Sequence, residues 1–341
     1  MIFEPILKPK VWGGRRLARF GKLLPQDPQL RIGESWELAD MASTSPSGGG
    51  GDAAHSVITN GALAGRTIDE AMAAWRERLL GQEIFARQCD AQGTQVPAFP
   101  LLLKLLDASE HLSVQVHPSP EYAAAHADAH LKTESWYILD AEPMNDVEPV
   151  IFAGLRADID EPALRKMIAE GTVAQALLAH PAVPGQCYTL PSGTVHALGG
   201  GVLVAEVQTA SDTTYRLYDW TGEYKREQRE LHIDEAVQCI TFGAAPPPPA
   251  KSAKRAEPVS RLAQTEFYTI DEVRPDGEAH ALEGDSCVAI MGIAGAGAIT
   301  APGCESVALS AGTTLLVPAA CVPQAVIRGN EHLRFLKIGL I

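Results

Sequence analysis

Two histidines, a glutamine and a glutamate stand at spacings that would bring their side chains together. Gln115 and His117 are two residues apart in an apolar segment, so they share one face if this segment is a β-strand. Glu134 precedes a second apolar segment, and His196 follows the turn sequence PSGT, where the chain is expected to re-enter a sheet. Such an N₂O₂ donor set suits Zn²⁺ and would also fit Mn²⁺, Fe²⁺ or Co²⁺. Taken singly, each residue also has a structural explanation, such as a histidine that closes a strand or a buried amide.

Three further residues could transfer protons or hold an anion beside such a metal. Lys132 shares a strand face with Glu134, where it would act as a proton shuttle or as a fixed anchor. Asp212 and Arg216 are four apart in an extended segment and would face one side, with a surface ion pair as the structural alternative. The permanently charged guanidinium of Arg216 suits an oxyanion such as a phosphate. Lys132, Asp212 and a metal-bound hydroxide all stay open as the general base.

Three polar residues are predicted to line the same cavity and bind substrate. Ser113 lies two residues before the glutamine and shares its face, where its hydroxyl could donate to a phosphate. Lys104 interrupts the apolar run LLLKLL, and a buried charge must be paired or must face a polar cavity. Glu206 alternates with apolar neighbours in GVLVAEVQT, which directs it to one side of a strand. Trp12 and Trp36 would either wall the cavity or belong to the core.

The elements that would hold these side chains are mainly β-strands. Glycine and proline are frequent, with 30 and 24 residues, and short apolar segments alternate with Gly/Pro turns. Strands are predicted over LLLKLLDA (101–108), HLSVQVHP (111–118), SWYIL (135–139), GVLVAEVQT (201–209) and TTYRLYDW (213–220).

Two helical insertions are expected to flank this β core. The first covers about residues 67–90 and begins at Thr67 with Glu70 three residues later, which is the spacing of a capping box. The second covers residues 160–180, where acids and a proline precede apolar residues at helical spacing, interrupted at Gly171.

Two segments have the composition of loops. Residues 42–54 are rich in Ser and Gly and predict a flexible surface loop. Residues 243–258, GAAPPPPAKSAKRAEP, are Pro-rich and locally basic and predict a linker. We therefore predict a metal-binding catalytic domain over residues 1–242 and a smaller β domain over residues 259–341.

The C-terminal domain is predicted to be a structural copy without a metal. YTLPSGTVHAL (188–198) and LLVPAACVPQAV (315–326) share a strand, a Pro-led turn and a second strand. Aligning the two places Pro323 opposite His196. We therefore expect one metal ion per chain.

Composition argues against several classes of partner. The chain has 341 residues, 46% of them apolar, and a net charge of −14, which disfavours a nucleic-acid or anionic-membrane surface. No segment reaches the roughly eighteen apolar residues of a membrane span, and no signal peptide is expected. The six cysteines are scattered without a C-x-x-C pair, so we expect reduced, mostly buried thiols and a cytoplasmic protein. A monomer or a homodimer is expected.

Seven segments around the candidate residues occur in the order typical of one known family. They are PKVWGG (9–14), GESWE (33–37), FPLLLKLLDA (99–108), LSVQVHP (112–118), KTESWYIL (132–139), LPSGTVHAL (190–198) and EVQTASDTTYRLYDW (206–220). Together they resemble the type I mannose-6-phosphate isomerases in their compact bacterial form, over roughly residues 1–236. The resemblance implies a mainly β cupin (jelly-roll) barrel with helical insertions, followed by a smaller C-terminal β domain.

The resemblance also implies roles for individual residues. Zinc ligation is implied for Gln115, His117, Glu134 and His196, and catalysis or substrate binding for Lys132, Asp212 and Arg216. One position departs from the pattern of some relatives, which carry a histidine, proposed to help open the sugar ring, where this chain has Leu131. Either another group opens the ring or the open-chain sugar is the substrate, since His130 would face the opposite side of a strand.

The predicted function is a zinc-dependent aldose–ketose isomerase of mannose metabolism, which interconverts mannose 6-phosphate and fructose 6-phosphate through a cis-enediol(ate). One alternative is a non-catalytic, sugar-phosphate-binding homologue, which Leu131 favours and the presence of Lys132 and Arg216 disfavours. A second alternative is a metal-dependent cupin oxygenase, which Gln115 disfavours because such sites are usually His-rich or facial-triad sites.

Overall fold

The structure of the protein, a computed structural model, describes residues 1–45, 51–126, 129–144, 147–227, 229–251 and 257–341. Parts of the predicted surface loop (46–50) and of the predicted linker (252–256) lie outside the described residues. Among the helices of the described part, none is long and apolar enough to cross a membrane. All six cysteines are unpaired, but only Cys187, Cys239 and Cys287 are buried.

Two antiparallel sheets form the N-terminal part and pack against each other. The first has seven strands, in spatial order Ile6–Gly14, Ile32–Leu38, Leu101–Asp107, Val202–Thr209, Glu134–Ala141, Gln186–Leu190 and Ala250–Lys251. The second has five strands, in spatial order Tyr215–Tyr218, Val114–Val116, His196–Leu198, Val150–Leu155 and Leu177–Pro181. Leu106 and Trp136 of the first sheet share a buried apolar cluster with Ile151 and Leu198 of the second. The predicted mainly β fold is confirmed, and each of the five predicted strand segments overlaps a strand.

The central strands of the seven-stranded sheet are buried on both faces, and this determines where their polar residues lie. In the strand Leu101–Asp107, the side chains of Leu101, Leu103 and Leu105 join an apolar cluster on the outer face. Because side chains alternate along a strand, Lys104 faces inward, toward the second sheet. The strand Val202–Thr209 is built in the same way, with Glu206 inward.

The first helical insertion is divided into three α-helices, Ile68–Trp75, Glu77–Leu80 and Gln82–Gln92. The capping box is formed as predicted, since Thr67 and Glu70 each bond the other's backbone N–H. The breaks fall at Arg76 and Gly81, with φ of 45° and 96°. At Gly81 a Cβ atom would stand 2.4 Å from the carbonyl oxygen of Asp285, so this turn requires glycine.

The second insertion is only partly helical, and the prediction of a helix over 160–180 is wrong for its last part. An α-helix covers Glu161–Ala169, capped by Asp160, and a 3₁₀ helix covers Val173–Ala176. The following residues form the strand Leu177–Pro181, which pairs with Val150–Leu155 at the edge of the five-stranded sheet. Its ladder hydrogen bonds outweigh a local helical preference, because isolated helical turns gain little stability without packing. The other α-helices described are Pro120–Ala125, Thr221–Tyr224 and Ile233–Cys239, and the other 3₁₀ helices are Arg16–Phe20, Gly61–Leu63 and Ala319–Gln324.

The C-terminal part is a second pair of antiparallel sheets. One has the order Val259–Gln264, Tyr268–Val273, Arg334–Leu340, Val288–Ala294 and Thr314–Val317, and the other His280–Ala281, Val326–Gly329, Ala296–Thr300 and Val307–Ser310. A two-stranded ribbon, Asp40–Met41 with Ala54–His55, completes the sheets of the described residues.

The two parts of the chain share a core. Leu262, Ile270 and Ile338 of the C-terminal part lie in the same buried cluster as Leu103 and Leu105. The C-terminal sheet therefore covers the outer face of the seven-stranded sheet, opposite to the face that carries Lys104. The boundary between domains at 243–258 stays a prediction.

Candidate metal centre and substrate cavity

The sheet registers bring the four predicted metal ligands together from both sides of the sandwich. In the five-stranded sheet Gln115 is paired directly with His196, and His117 follows Gln115 at the end of the strand Val114–Val116. Glu134 begins a strand of the seven-stranded sheet, opposite them. All three ionisable side chains are almost fully buried, with 0 to 1% of their surface exposed.

The distances place two imidazoles around one carboxylate. Nε2 of His117 is 3.3 Å from Oε2 of Glu134, and Nε2 of His196 is 3.2 Å from Oε1 of the same residue. The ring centroids of the two histidines are 4.8 Å apart. Their ligand atoms all lie within 4.8 Å of one another, so a single ion could contact all three residues.

The hydrogen bonds behind the histidines fix their donor atoms. Nδ1 of His117 is 2.9 Å from the carbonyl oxygen of Thr213, and Nδ1 of His196 is 2.8 Å from that of Thr194. A carbonyl only accepts, so each Nδ1 carries the proton and each Nε2 presents a lone pair toward Glu134. Nε2 of His117 and Oε1 of Glu134 are buried without a hydrogen-bond partner among the described residues, whereas Oε2 of Glu134 is 2.8 Å from Nζ of Lys132. Such orphaned acceptors fit a bound cation.

The amide of Gln115 can complete the donor set by turning about its last bond. Its Nε2 lies 3.2 Å from Nε2 of His196, and its Oε1 accepts from the hydroxyl of Ser113 at 3.3 Å. A half-turn of the amide exchanges the two ends and presents the oxygen to the ion. The hydroxyl of Ser113 can donate or accept, so it supports either orientation.

Electrostatics keep these groups in the protonation states that a cation needs. Burial raises the pKa of Glu134, whereas the charge of Lys132, whose Nζ is 2.8 Å from Oε2, is the largest influence that lowers it, and the resulting pKa lies well below its ordinary value. Burial and, next, Lys132 lower the pKa of His117 to about 3. Glu134 is therefore ionised and His117 neutral at neutral pH.

A cavity of about 590 Å³, including its open mouth, extends outward from this group. The predicted residues that line it are Trp12, Trp36, Lys104, Ser113, Gln115, Lys132, Glu206, Asp212 and Arg216. His117, Glu134 and His196 do not line the cavity themselves. Glu134 contacts the lining residue Lys132 and His196 contacts the lining residue Gln115, so the three residues form a buried layer directly behind the lining, which we call the floor of the cavity. The structure thus brings together every residue that the sequence suggested for the site.

A row of polar side chains crosses the inner face of the seven-stranded sheet. Nζ of Lys104 is 3.0 Å from Oε2 of Glu206 and donates to Oε1 of Gln208 at 2.8 Å. The indole N–H of Trp136 donates to Oε1 of Glu206 at 2.8 Å. Lys104 therefore both lines the cavity and forms a buried ion pair, so the two alternatives for this residue are both realised. Trp36 likewise walls the cavity and lies in an apolar cluster.

Asp212 and Arg216 both face the cavity but are not paired with each other by any contact in the described structure. Both carboxylate oxygens of Asp212 accept from the backbone N–H of Ser45, at 2.8 and 2.9 Å. Arg216 is 4% exposed, donates through Nη1 to the carbonyl oxygen of Glu230 at 2.6 Å, and has a buried Nε without a partner. The surface ion pair considered for these residues is therefore absent.

Several residues of the cavity were not predicted. Lys10 and Glu34 form an ion pair at 3.2 Å, and the indole N–H of Trp36 donates to Glu34 at 2.6 Å. The sequence contained a signal for both residues. Lys10 is two residues from Trp12 and Glu34 is two residues from Trp36, so each shares a strand face with a tryptophan that was considered for the cavity wall. Arg229, in contrast, lies outside any strand, within a charged segment without periodicity. The remaining lining residues are Leu106, Leu112, Trp136 and Thr214.

Comparison with known proteins identifies the family. The sequence model of the phosphomannose isomerase type I catalytic domain matches residues 2–144. A mannose-6-phosphate isomerase of Streptococcus mutans is 35% identical over 321 residues, which cover 93% of this chain and 92% of that protein. This chain belongs to the mannose-6-phosphate isomerase family. Mannose-6-phosphate isomerase ManA of Bacillus subtilis is 38% identical over 248 residues, which cover 72% of this chain and 69% of that protein.

The fold of this mannose-6-phosphate isomerase family member also agrees with a solved structure. The crystal structure of the mannose 6-phosphate isomerase from Bacillus subtilis superposes with a TM-score of 0.78 at 29% identity, covering 99% of this chain and 98% of that chain. The cupin assignment, with its second β part, is thereby confirmed.

Leu131, which stands where some relatives carry a histidine, lies beside the substrate cavity and is not part of its lining. Leu131 and His130 line a second, wider cavity that meets the first at Asp212. His130 is exposed, and the carbonyl oxygen of Leu131 accepts from Thr209 at 3.2 Å. Among the described residues, the side chains lining the substrate cavity include no histidine.

A second group with metal-type side chains is a hydrogen-bonded structural cluster. Asp40, His55 and Asp69 lie close together, but both oxygens of Asp40 are already used. One is 2.7 Å from Nδ1 of His55, and the other accepts from the backbone N–H of Phe99 at 2.6 Å. This cluster ties the two strands of the ribbon to each other and to the backbone of Phe99.

Proposed function

We propose that this protein is a metal-dependent aldose–ketose isomerase that interconverts mannose 6-phosphate and fructose 6-phosphate. The observation that carries the proposal is the floor of the cavity, where orphaned imidazole and carboxylate donors meet below a lining rich in lysine and arginine. Membership of the mannose-6-phosphate isomerase family supports the same reaction. A small sugar phosphate is the only partner the reaction requires, and a monomeric or homodimeric state and a cytoplasmic location stay predictions.

We assign the metal to Gln115, His117, Glu134 and His196, and zinc is the ion that this N₂O₂ set suits best. When bound, it would supply Lewis-acid stabilisation of negative charge on the oxygens of C1 and C2. The polar row of Lys104 and its partners would hold the sugar hydroxyls, because buried paired charges are already oriented and need no further reorganisation. Ser113 would add a hydroxyl beside the ligand Gln115.

Proton transfer between C1 and C2 is assigned to Lys132 and Asp212, and charge stabilisation to Arg216. Lys132 lies beside the metal ligand Glu134, so it is held at the reacting end of the substrate. Asp212 is held as a carboxylate acceptor by the backbone of Ser45. Arg216 is paired in register with Gln115, which puts its fixed positive charge next to the developing enediolate. Exchange of the C2 proton with solvent in Lys132→Ala and Asp212→Asn variants separates the two candidate bases, since loss of the base abolishes the exchange.

A coupled assay tests the reaction. Purified, zinc-loaded protein should convert mannose 6-phosphate to fructose 6-phosphate and also run in reverse. Glu134→Gln provides the matched inactive control, because it keeps the shape of the side chain and removes the charge that binds the ion. Folded, zinc-loaded protein that binds mannose 6-phosphate without converting it would instead identify a non-catalytic homologue.

A further inference from the structure

Lys132 lies in a short irregular segment just before a strand. The described residues 130–133 have no regular secondary structure, and the strand that follows them begins at Glu134. The ladder with the neighbouring strand ends at the same place, with Gln208 opposite Glu134. Yet Lys132 is 4% exposed, and its Nζ is held 2.8 Å from Oε2 of Glu134. Contacts outside the regular ladder must therefore fix the backbone of this lysine.

Three side-chain hydroxyls, which we call the hydroxyl brace, each donate to a different one of three consecutive carbonyl oxygens in this segment. The donors and acceptors are Ser211 with His130 at 3.3 Å, Thr209 with Leu131 at 3.2 Å, and Ser192 with Lys132 at 2.8 Å. The next carbonyl oxygen, that of Thr133, accepts from the backbone N–H of Thr209 at 3.1 Å. The four carbonyl groups of residues 130–133 are therefore all hydrogen-bonded, three of them to side chains.

The hydroxyl of Thr209 bonds the backbone on both sides of Lys132. Besides donating to the carbonyl oxygen of Leu131, it accepts from the backbone N–H of Thr133 at 3.3 Å. Because a hydroxyl has one proton to donate and two lone pairs, both hydrogen bonds can form at the same time. Thr209 is the last residue of the strand Val202–Thr209, so the end of a central strand determines where the backbone of Lys132 lies.

The other two hydroxyls connect this segment to the rest of the site. Ser192 belongs to the turn that precedes the assigned metal ligand His196. Ser211 is 3% exposed and directly precedes Asp212, the second residue to which proton transfer is assigned. The hydroxyl brace therefore ties the backbone of Lys132 to the segments that carry His196 and Asp212.

We propose that Ser192, Thr209 and Ser211 are positioning residues, whose hydroxyls hold Lys132 at the reacting end of the substrate. The inference rests on the proposed function, which assigns proton transfer to Lys132. A lysine side chain is long and flexible, so its Nζ is placed accurately only if its backbone is fixed as well. The ion pair with Glu134 does not suffice, because that carboxylate is also assigned to the metal. A displacement of about 1 Å in a reacting group can lower the rate about 100-fold.

Steady-state kinetics of zinc-loaded variants that lose one hydroxyl test this role. Thr209→Val should lower kcat about 10- to 100-fold, while the KM for mannose 6-phosphate and the dissociation constant of zinc change less than about threefold. Ser192→Ala and Ser211→Ala should each lower kcat by a smaller factor, at least about threefold, because each removes a single hydrogen bond to the segment. Thr209→Ser keeps the hydroxyl and should keep kcat within about threefold of the wild type.

Thr172→Val is the matched control. The hydroxyl of Thr172 also donates to a backbone carbonyl oxygen, that of Met167 at 3.4 Å, and Thr172 does not line the cavity. The variant should leave kcat, KM and the dissociation constant of zinc unchanged.

Mannose 6-phosphate deuterated at C2 provides a readout that a general loss of stability does not move. Since the loss falls on proton transfer, the isotope effect on kcat in Thr209→Val should be at least as large as in the wild type. An isotope effect that falls toward one would overturn the proposal, because another step would then limit the variant. An unchanged kcat in Thr209→Val, or an equal loss of kcat in Thr172→Val, would also overturn it. Should Thr209→Val fail to fold, Ser192→Ala carries the same test with the same contradicting outcomes.

Failure of the proposed function would look different. If the zinc-loaded wild type converts no sugar phosphate, the isomerase assignment fails, and amide hydrogen exchange still tests the hydroxyl brace. A peptide that contains residues 129–134 should exchange roughly fivefold faster or more in the double variant Ser192→Ala/Thr209→Val, because each lost hydrogen bond makes local opening easier. Thr172→Val should leave the exchange of this peptide unchanged. Exchange at the wild-type rate in the double variant would contradict the proposed role of the hydroxyls.

Discussion

Replacing Lys104 by methionine should destabilise the protein strongly, because it leaves a buried carboxylate without its counter-ion. Lys104 is 5% exposed, and its Nζ lies 3.0 Å from Oε2 of Glu206. Although burial lowers the pKa of Lys104, Glu206 and then Glu34 outweigh it and raise the pKa above its ordinary value. In the variant, the indole N–H of Trp136 is the hydrogen-bond donor that Glu206 keeps among the described residues.

Removing one partner of a buried ion pair costs about 3–5 kcal/mol, whereas methionine fills nearly the same volume and adds little cavity cost. We therefore expect Lys104→Met to lower the free energy of unfolding by about 3–5 kcal/mol at pH 7. The double variant Lys104→Met/Glu206→Gln removes both charges and should recover about 2 kcal/mol or more of that loss.

Urea unfolding at constant zinc concentration, followed by tryptophan fluorescence, measures these differences. Lys166→Met is the exposed control, since its side chain is 74% exposed and 3.8 Å from Glu170, and it should change stability by less than about 0.5 kcal/mol. A Lys104→Met variant within about 1 kcal/mol of the wild type would refute the reasoning. A double variant that is no more stable than Lys104→Met would also refute it, because the two charges would then have no interaction energy with each other.

Three further predictions concern stability at low pH, the backbone conformation at Gly81 and the binding of zinc by Glu134. Burial raises the pKa of Glu34, but Lys10 and Lys104 outweigh it and lower the pKa to about 2, below its unfolded value of about 4.5. The stabilisation from Glu34 is thus present above pH 4.5 and lost as pH falls toward 2, and Glu34→Gln should flatten the pH dependence of stability in that window by up to roughly 3 kcal/mol. An unchanged slope would contradict it. Gly81→Ala should cost at least about 1–3 kcal/mol, because φ there is 96° and the new Cβ would meet a carbonyl oxygen, and a wild-type melting temperature would refute this. Glu134→Gln should bind zinc at least 10-fold more weakly by competition with a chelator, while retained affinity would show that Glu134 is not a ligand.

The sequence predicted which residues belong to the site better than it predicted how these residues contact one another. The spacing of Gln115 and His117 fixes a shared strand face, and the surrounding motifs identified Glu134 and His196. Their meeting depends on the packing of two sheets, which no local spacing encodes. The edge strand Leu177–Pro181 was predicted as helix, because its conformation is determined by pairing with the strand Val150–Leu155, which local spacing does not encode.

Arg229 shows the other limit of prediction from sequence. Its segment has the composition of a solvated surface, and only the fold brings it beside Asp219 and the mouth of the cavity. Lys104, in contrast, was predicted because a charge inside an apolar strand needs a partner wherever the strand lies.

Zinc titration of the metal-depleted protein tests the proposed reaction most directly. Chelation should abolish the conversion of mannose 6-phosphate to fructose 6-phosphate, and added zinc should restore it in proportion to occupancy, with full activity at one equivalent per chain. Full activity in protein shown to be free of metal would contradict the assignment, as would an absence of activity in folded protein that has bound one equivalent of zinc.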